Sequence, residues 1–377
     1  MTLDPIEEHW HGPAPETVAG LLRHHARNRP DAVAYRFLSG PSDSASFTYR
    51  QLDLRARTIA VHLAEAGQRG RPVLLLQPPG LEYIACFLGC LYAGAIAVPA
   101  YPPDTRRFGQ SMRRLAAIAR DARATHALTT EALADVAAAK HREIDALGLG
   151  ALRWAATDLL DDRTAQAWQE PETGGGSLAF LQYTSGSTAE PKGVMVGNDN
   201  LVGNLRSIHL RLRHDRDSAM VSWLPPYHDM GLIGGILAPL YGGFPAHLMA
   251  PATFVARPLL WLRTLSETGA STSVAPNFGF EHCLRRVSEQ QRDALDLSAW
   301  RLALNGAEPV RADTLERFAD YFGPCGFKRS ALMPCYGLAE ATLMATGVDA
   351  HEPPVTTRFR ADALGAGRVA PAAGADP

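Results

Sequence analysis

One short run of the sequence concentrates groups that can bind phosphate. Between Tyr183 and Val194 the chain places four hydroxyl side chains, a turn glycine and a lysine: Thr184, Ser185, Gly186, Ser187, Thr188 and Lys192. Hydroxyls and backbone N–H groups of such a loop donate to phosphate oxygens, and the lysine adds a point charge. It is not a Walker P-loop, because Pro191 stands where that motif requires a glycine before the lysine. Composition alone leaves a solvated turn open as an alternative.

The elements that position this loop follow an α/β pattern. An apolar strand is followed five times by a loop of small or polar residues. The predicted strands are Ala179–Gln182, Ala219–Leu224, Thr272–Ala275, Leu302–Asn305 and Ala331–Cys335. Because ligands of parallel α/β sheets bind beyond the carboxyl ends of the strands, the five loops predict one crevice. Five ordinary connecting loops are the alternative.

Composition excludes several classes of protein. A length of 377 residues allows two or three core-forming units. The net charge of -2 gives no overall electrostatic case for nucleic acid as a partner. Five cysteines, an odd and sparse set, argue against a disulfide framework and fit a reducing compartment. Residues 1–10 contain no apolar stretch typical of a secretory signal, so we expect a cytoplasmic protein.

Two uncharged stretches are long enough to raise the question of a membrane span. Tyr83–Pro103 contains two glycines and three prolines, which favour a helix ending near Gly94 followed by a buried strand at Ala95–Pro99. Met230–Ala256 contains five glycines and three prolines, which favour packed turns and short elements. We therefore expect no membrane span.

Four segments, in order, carry a family resemblance. Tyr-Thr-Ser-Gly-Ser-Thr followed by Pro-Lys-Gly-Val closely resembles the phosphate loop of the adenylate-forming superfamily. Trp223–Gly231, Asn305–Pro309 and Tyr336–Thr342 resemble its central histidine motif, its adenine-binding strand end and its next core motif. The resemblance implies an α/β fold with two packed subdomains meeting near residue 215, inside an AMP-binding domain that covers residues 1–346.

Further details resemble fatty acyl-AMP ligases within that superfamily. Ala95–Pro103 resembles their early signature, and residues 347–377 resemble the start of the insertion that marks them, although Arg360 stands where an acid is expected. In that family a β-rich part, a ribose-binding aspartate, a hinge and a small domain with a catalytic lysine follow. We therefore expect an N-terminal portion that is weakly active by itself.

The resemblance implies a reaction. A medium- or long-chain fatty acid would be activated with ATP and Mg²⁺ to acyl-AMP and pyrophosphate, then transferred to an acyl carrier protein in lipid, polyketide or lipopeptide synthesis. A fatty acyl-CoA ligase differs only in the thiol acceptor and is the nearest alternative. A non-catalytic remnant that binds nucleotide or lipid is the alternative of another class.

The resemblance also assigns roles to residues. The catalytic set is His228, Lys192, Thr184 and Glu340, with Glu340 holding Mg²⁺ and His228 beside the carboxylate and α-phosphate. The phosphate loop would hold the triphosphate, and Thr342 would contact the α-phosphate. Tyr336 would stack on adenine. The remaining nucleotide contacts would come from Asn305, Gly306, Ala307, Glu308, Gly337 and Leu338.

The acyl chain requires a long apolar slot. Four apolar residues follow His228 at near-helical spacing, and two aromatic residues follow the middle strand of the second half. These candidates are Met230, Ile233, Ile236, Leu237, Phe278 and Phe280. For each of them, a place in the ordinary protein core is an equally good interpretation.

Overall fold

The fold is built from short strands and connecting helices. The computed structural model describes residues 15–40, 43–104, 107–184, 191–350 and 352–372. Its strands are β1 (Val33–Leu38), β2 (Ser44–Thr48), β3 (Pro72–Leu75), β4 (Ile96–Pro99), β5 (His126–Thr129), β6 (Arg153–Ala156), β7 (Leu178–Tyr183), β8 (Gly193–Gly197), β9 (Met220–Ser222), β10 (Ala246–Met249), β11 (Thr272–Ala275), β12 (Leu302–Asn305), β13 (Leu332–Gly337) and β14 (Met344–Gly347).

These strands form two sheets, each mainly parallel. The eight-stranded sheet has the order β14-β13-β12-β11-β9-β10-β1-β2, and the six-stranded sheet has the order β6-β5-β3-β4-β7-β8. Antiparallel pairs occur only at sheet edges within the described residues, where β2, β8 and β14 each pair with their neighbour. Strands β5, β11 and β12 are buried on both faces, as expected for parallel strands covered by helices.

Helices connect the strands. The α-helices are Val18–Asn28, Tyr49–Glu65, Leu81–Ala93, Phe108–Asp121, Glu131–Ala139, His141–Ala146, Asn198–Leu212, Ala238–Gly242, Pro251–Ala256, Pro258–Thr268, Asn277–Arg286, Glu289–Arg292, Ala312–Phe322 and Ala361–Gly365. A π-helix spans Met230–Leu237, and 3₁₀ turns occupy Thr157–Leu159, Asp162–Ala167, Gly323–Cys325, Arg329–Ala331 and Ala339–Ala341.

The predicted α/β class and most predicted elements are confirmed. The helix before Gly94 ends there because the glycine takes a left-handed conformation, with φ of 67°, that a side chain would disfavour. The strand that follows is β4, as predicted from the uncharged stretch. Among the described residues, no helix is long and apolar enough to cross a membrane.

Sheet membership divides the predicted strands. The five predicted strands do not belong to a single sheet, because β7 lies in the six-stranded sheet whereas β9, β11, β12 and β13 lie in the eight-stranded one. The pairing is also not a simple division of the chain at residue 215. The chain changes sheet between β8 and β9, yet β1 and β2 near the amino terminus pair into the eight-stranded sheet.

One hydrophobic core joins the two sheets. The Tyr83 hydroxyl, on a helix that packs on the six-stranded sheet, donates to the carbonyl of Pro226 at 2.8 Å. Gln182 on β7 donates through Nε2 to the carbonyl of Tyr227 at 3.1 Å. The loop after β9 is therefore fixed against the other sheet, and this places the residue that follows, His228, between them.

A buried arginine ties three elements of the first half together. Arg55 donates to both oxygens of Glu82 at 2.9 and 3.1 Å, and to Asp162 at 2.7 Å. Its side chain is 10% exposed. The same guanidinium also donates to the carbonyl of Leu160. Removing it would take a donor from two carboxylates and from the backbone carbonyls of Leu160 and Thr157.

We expect Arg55→Ala to lower the free energy of unfolding by about 3–5 kcal/mol, because it breaks a partly buried ion-pair network from one side. Arg50→Ala is the matched control, since Arg50 pairs with Asp31 on an exposed surface. That control should lose less than about 1 kcal/mol. Urea denaturation of the two variants measures both losses, and equal losses would contradict the structural role of Arg55.

Candidate active site

A cavity of about 370 Å³ lies where the strands of both sheets end. Predicted site residues from three strand-end loops, from the end of β13 and from the 3₁₀ turn that follows it line it together: Thr184, His228, Gly306, Tyr336 and Glu340. Thr184 follows β7 of one sheet, and the other four lie at or after the ends of strands of the other sheet. The structure thus joins loops that are distant in sequence around one space that is accessible to a ligand.

The phosphate-loop prediction is only partly within the described residues. Thr184 lines the cavity, and Lys192 is an exposed residue directly before β8. Ser185, Gly186, Ser187 and Thr188 lie outside the described residues, so the roles given to them stay predictions. The loop leaves β7 at the cavity and returns as β8, whose antiparallel pairing with β7 holds its two ends close together.

His228 forms an ion pair with its neighbour in sequence. Nδ1 of His228 lies 2.6 Å from Oδ1 of Asp229, whose side chain also accepts from the N–H of Met230 at 2.7 Å. The hydrogen bond to Asp229 raises the pKa of His228 above its ordinary value, although partial burial acts against this. With Nδ1 donating to Asp229, Nε2 is the nitrogen left for a ligand. In the protonated imidazolium form that nitrogen is a donor.

The backbone at the end of β12 forms one side of the cavity. Asn305, the last residue of β12, is fully buried, and its side chain donates to Oδ1 of Asn277 at 3.4 Å, which holds the end of the strand in place. At Gly306 a Cβ would lie 2.9 Å from the carbonyl oxygen of Cys335, so a larger residue would not fit. Ala307 has a left-handed φ of 66°. Glu308 accepts from the N–H of Phe278 at 2.5 Å and does not line the cavity.

The segment after β13 forms a second wall of the cavity. Tyr336 is 61% exposed, so its ring is free to stack on a ligand. Gly337 and Leu338 line the same wall, and a Cβ at Gly337 would lie 2.0 Å from the carbonyl oxygen of Leu343. Because the chain folds back this closely, only glycine fits at that position.

Thr342 occupies a strained backbone conformation beside this wall, although it is not itself among the residues that line the cavity. Its φ of 69° and ψ of -62° define a γ-turn, closed by the N–H of Leu343 donating to the carbonyl of Ala341 at 2.9 Å. Strained residues of this kind cost about 1–3 kcal/mol and cluster at functional sites. The turn lies directly between Glu340 and Leu343, both of which line the cavity.

We expect Thr342→Gly to be more stable than Thr342→Ala by about 1 kcal/mol, because glycine accepts the positive φ that alanine does not. Alanine is the matched control, since both variants lose the hydroxyl. Thermal unfolding of the two proteins measures the difference. Equal stability, or a more stable alanine variant, would show that the turn is not strained.

A π-helix begins directly after the His228–Asp229 pair. Residues Met230–Leu237 form it, and the N–H of Ala238 continues its hydrogen bonding to the carbonyl of Ile233, five residues earlier. Helices of this kind are rare and occur frequently at functional sites. Gly231 allows the helix to start here, because a Cβ at that position would lie 2.0 Å from the carbonyl oxygen of Pro225.

The predicted acyl contacts need correction. Of the six candidates, all of them within the described residues, only Met230 lines the cavity. Ile233 and Leu237 are fully buried in the core, and Ile236 faces a separate small space. Phe280 is buried among Trp261, Trp300 and Phe318, and Phe278 lies outside the cavity against Trp223 and Phe254. The near-helical spacing misled because the segment winds as a π-helix, which presents other residues on each face.

The cavity continues inward past residues that sequence reasoning did not identify. These additional lining residues are Ile208, Leu212, His214, Met220, Asp229, Gly234, Ala238, Val274, Leu304, Cys335, Ala339, Leu343 and Met344. Ile208 and Leu212 lie four residues apart on one helix, and this spacing was a usable signal of a shared face. Nothing local in the sequence indicates that this face covers a cavity rather than solid core.

A second cavity of about 440 Å³ lies beside the end of β4. Tyr101 and Tyr227 pack with ring centroids 3.9 Å apart at its wall, and Arg114 lies over Tyr101. Two arginines and one aspartate, Arg107, Arg114 and Asp104, line this cavity and leave a basic excess. It contains neither His228 nor the predicted adenine edge, so its chemistry differs from that of the first cavity.

Comparison with known proteins agrees with this fold. The family model for AMP-binding enzymes matches residues 22–374, and the chain belongs to that family. It is 42% identical over 354 residues to the medium-chain fatty acid–[acyl-carrier-protein] ligase JamA of Moorena producens, covering 94% of this chain. It is 39% identical to a long-chain fatty acid–AMP ligase of Mycobacterium tuberculosis. In both cases it spans about 60% of the relative's length.

A solved structure is similar over almost the whole chain. The fatty acyl-adenylate ligase of Legionella pneumophila, determined with acyl adenylate and pyrophosphate, matches with a TM-score of 0.88 and 38% identity. The match covers 95% of this chain and 61% of that one. The similarity therefore concerns the part of such a ligase that contains the two sheets described above.

Proposed function

We propose that this protein activates a fatty acid with ATP, forming acyl-AMP and pyrophosphate. The observation that carries the proposal is the convergence of Thr184, His228, Gly306, Tyr336 and Glu340 on one cavity. Similarity to fatty acid–AMP and fatty acid–[acyl-carrier-protein] ligases supports the same reaction. The chain spans about 60% of the length of those relatives.

The geometry suits attack of one anion on another. A fatty carboxylate oxygen would form a bond to the α-phosphorus of ATP, and the bond to the pyrophosphate oxygen would break. Charge repulsion and the positioning of the two substrates dominate the activation barrier of such a reaction. Hydrogen-bond donors that are already in position therefore lower this barrier most. Nε2–H of His228 would donate to the carboxylate and α-phosphate oxygens. Thr184 and Thr342 would hold the phosphate chain.

Adenine would lie between Tyr336 and the backbone of Gly306 and Ala307. The exposed Tyr336 ring supplies a stacking surface, and the adjacent strand end supplies backbone polar groups along the base edge. Asn305 would support this edge from below through its bond to Asn277. Glu308, which accepts from the N–H of Phe278, lies outside the cavity lining and has no role in binding the base here.

Mg²⁺ would be held by Glu340. The described residues contain no cluster of three or more His, Cys, Asp or Glu side chains suited to a metal. Mg²⁺ does not require one, because it is commonly bound by one or two carboxylates together with substrate phosphates and water. The exposed Glu340 carboxylate at the cavity fits that donor set. When bound, the ion would neutralise charge on the phosphates.

Acyl-AMP formation tests the proposal directly. The chain is incubated with ATP, Mg²⁺ and octanoic acid, quenched in acid, and analysed by mass spectrometry for octanoyl-AMP. We expect octanoyl-AMP that depends on both substrates, at a low rate. Complete absence of octanoyl-AMP, at enzyme concentrations equal to substrate, would contradict the proposal.

The thiol acceptor would be an acyl carrier protein. Its support is the resemblance of the last thirty residues to the family insertion and the similarity to ligases named for that carrier. Chasing preformed octanoyl-AMP with carrier protein or with CoA separates the two acceptors. Efficient octanoyl-CoA formation would show that CoA, and not a carrier protein, is the acceptor.

A further inference from the structure

The inner part of the cavity follows one face of the eight-stranded sheet. Met220 pairs with Thr272, Thr272 pairs with Leu302, and Val274 pairs with Leu304. Side chains two residues apart on a strand share a face, so these residues lie on one side of the sheet. Met220, Val274 and Leu304 all line the cavity. The space therefore runs along the strands, from the carboxyl ends at His228 toward their amino ends.

Helices form the opposite wall of this inner part. Ile208 and Leu212 contribute from the helix Asn198–Leu212. Met230, Gly234 and Ala238, each four residues apart, contribute from the π-helix and its continuation. These helix side chains offer no hydrogen-bonding group, so the polar groups of the slot lie at its mouth and at its inner end. Such a slot accepts a hydrocarbon chain and excludes a polar ligand.

His214 closes the inner end of the slot. Its Nε2 lies 3.1 Å from Oγ1 of Thr272, the first residue of β11, and its ring packs on Phe244. The side chain is buried and lines the cavity beside Leu212 and Met220. Burial, with His209 nearby, lowers the pKa of His214 to about 3, so the ring is neutral at physiological pH. Because the ring is neutral and held by these contacts, it forms the floor, that is, the closed inner end, of the slot.

The length of the strand beneath the slot limits the length of the acyl chain that the slot can hold. From Thr272 to Ala275, β11 advances three residue steps, or about 10 Å at roughly 3.3 Å per step. An extended chain advances roughly 1.2 Å per bond, because the three backbone bonds of an extended residue span about 3.5 Å. We propose that this slot selects medium-chain acyl groups of about eight to ten carbons, with His214 as the floor that excludes longer chains. The inference rests on the proposed function and adds the substrate class.

Gly234 sets the width of the same slot. A Cβ built there meets only Leu343, at 3.4 Å, and Leu343 itself lines the cavity. The neighbouring glycines have no such space. A Cβ at Gly231 would lie 2.0 Å from the Pro225 carbonyl oxygen, and a Cβ at Gly235 would lie 2.8 Å from the Ser222 hydroxyl. Those two glycines allow close packing. Gly234 leaves free space in the slot instead.

Calorimetric titration tests the limit without requiring turnover. The 377-residue chain is titrated with non-hydrolysable acyl-AMP analogues of four, eight, twelve and sixteen carbons. We expect each methylene up to about eight carbons to tighten binding by roughly fourfold. The sixteen-carbon analogue should bind about tenfold more weakly than the eight-carbon one, because overfilling a closed space is costly.

Two variants at Gly234 sharpen the test. Gly234→Leu should weaken the eight-carbon analogue by about tenfold or more while leaving the four-carbon analogue little changed. Gly234→Ala should weaken the eight-carbon analogue less, since its Cβ meets only ordinary contacts. Gly203→Leu is the matched control, since Gly203 is exposed, lies outside the cavity lining and a Cβ there meets no other atom within 4 Å. His214→Ala, checked for folding by circular dichroism, should improve binding of the twelve-carbon analogue relative to the eight-carbon one.

The outcomes separate this inference from the proposed function. Failure of all four analogues to bind would contradict the proposed function itself. Binding of the eight-carbon and sixteen-carbon analogues with equal affinity would overturn the length limit alone. An unchanged profile in Gly234→Leu would overturn the assignment of the slot, whatever the result for His214→Ala.

Discussion

His228→Ala is expected to lower the rate of acyl-AMP formation by about a hundredfold to a thousandfold. Removing one hydrogen-bond donor that is already positioned where charge develops in the transition state lowers the rate by about this factor. Binding of a non-hydrolysable acyl-AMP analogue should fall much less, because adenine and the acyl chain keep their contacts. Quenched-flow mass spectrometry measures the rate, and calorimetry measures the binding. A rate loss below about tenfold would remove His228 from the chemical step.

The pH dependence of this effect follows from Asp229. Its carboxylate lies 2.6 Å from Nδ1 of His228 and raises the pKa of that imidazole. The imidazolium, which donates through Nε2, therefore persists above the ordinary pKa of histidine and is lost as the pH rises through the raised value. Asp229→Asn should move the alkaline limb of the rate profile to lower pH. An unmoved limb would assign it to another group.

Glu340→Gln should raise the Mg²⁺ concentration that supports ATP binding by at least about tenfold, since even indirect partners of metal ligands change affinity by about 10- to 100-fold. The amide keeps the shape of the side chain and removes its charge. Binding of a fatty acid alone should not change. Calorimetric titration with ATP across a Mg²⁺ series measures the shift.

Glu308→Gln is the matched control for that variant. Glu308 is an exposed carboxylate bonded to the N–H of Phe278, and it lies outside the cavity lining. Its substitution should leave the Mg²⁺ dependence of ATP binding unchanged. An equal shift in both variants would mean that general electrostatic attraction, and not coordination by Glu340, explains the effect.

The sequence predicted the fold well where local signals are strong. β11 and β12 appear with the bounds expected from their apolar runs, and the helix before Gly94 ends at that glycine. Convergence of His228 and Tyr336 followed from one rule, that loops after parallel strands meet at one edge. The same rule did not reveal that β7 belongs to the other sheet, because pairing between distant strands leaves no local pattern.

The acyl slot was the part least accessible to sequence reasoning. Phe280 and Met230 are both apolar residues after polar strand ends, yet one lies in the aromatic core and the other lines the cavity. Which of them meets a ligand depends on packing between distant elements. His214 gave no signal, because a lone histidine is usually structural, and its place at the slot depends on Thr272, fifty-eight residues away.

A crystal structure of the 377-residue chain with a non-hydrolysable octanoyl-AMP analogue tests the central claim most directly. We expect adenine against Tyr336 and the Gly306–Ala307 backbone, the acyl-phosphate junction within hydrogen-bond distance of His228 Nε2, and the alkyl chain between Gly234 and Leu304. Adenine bound instead in the basic cavity beside Tyr101 and Arg114, with the space at His228 empty, would contradict it.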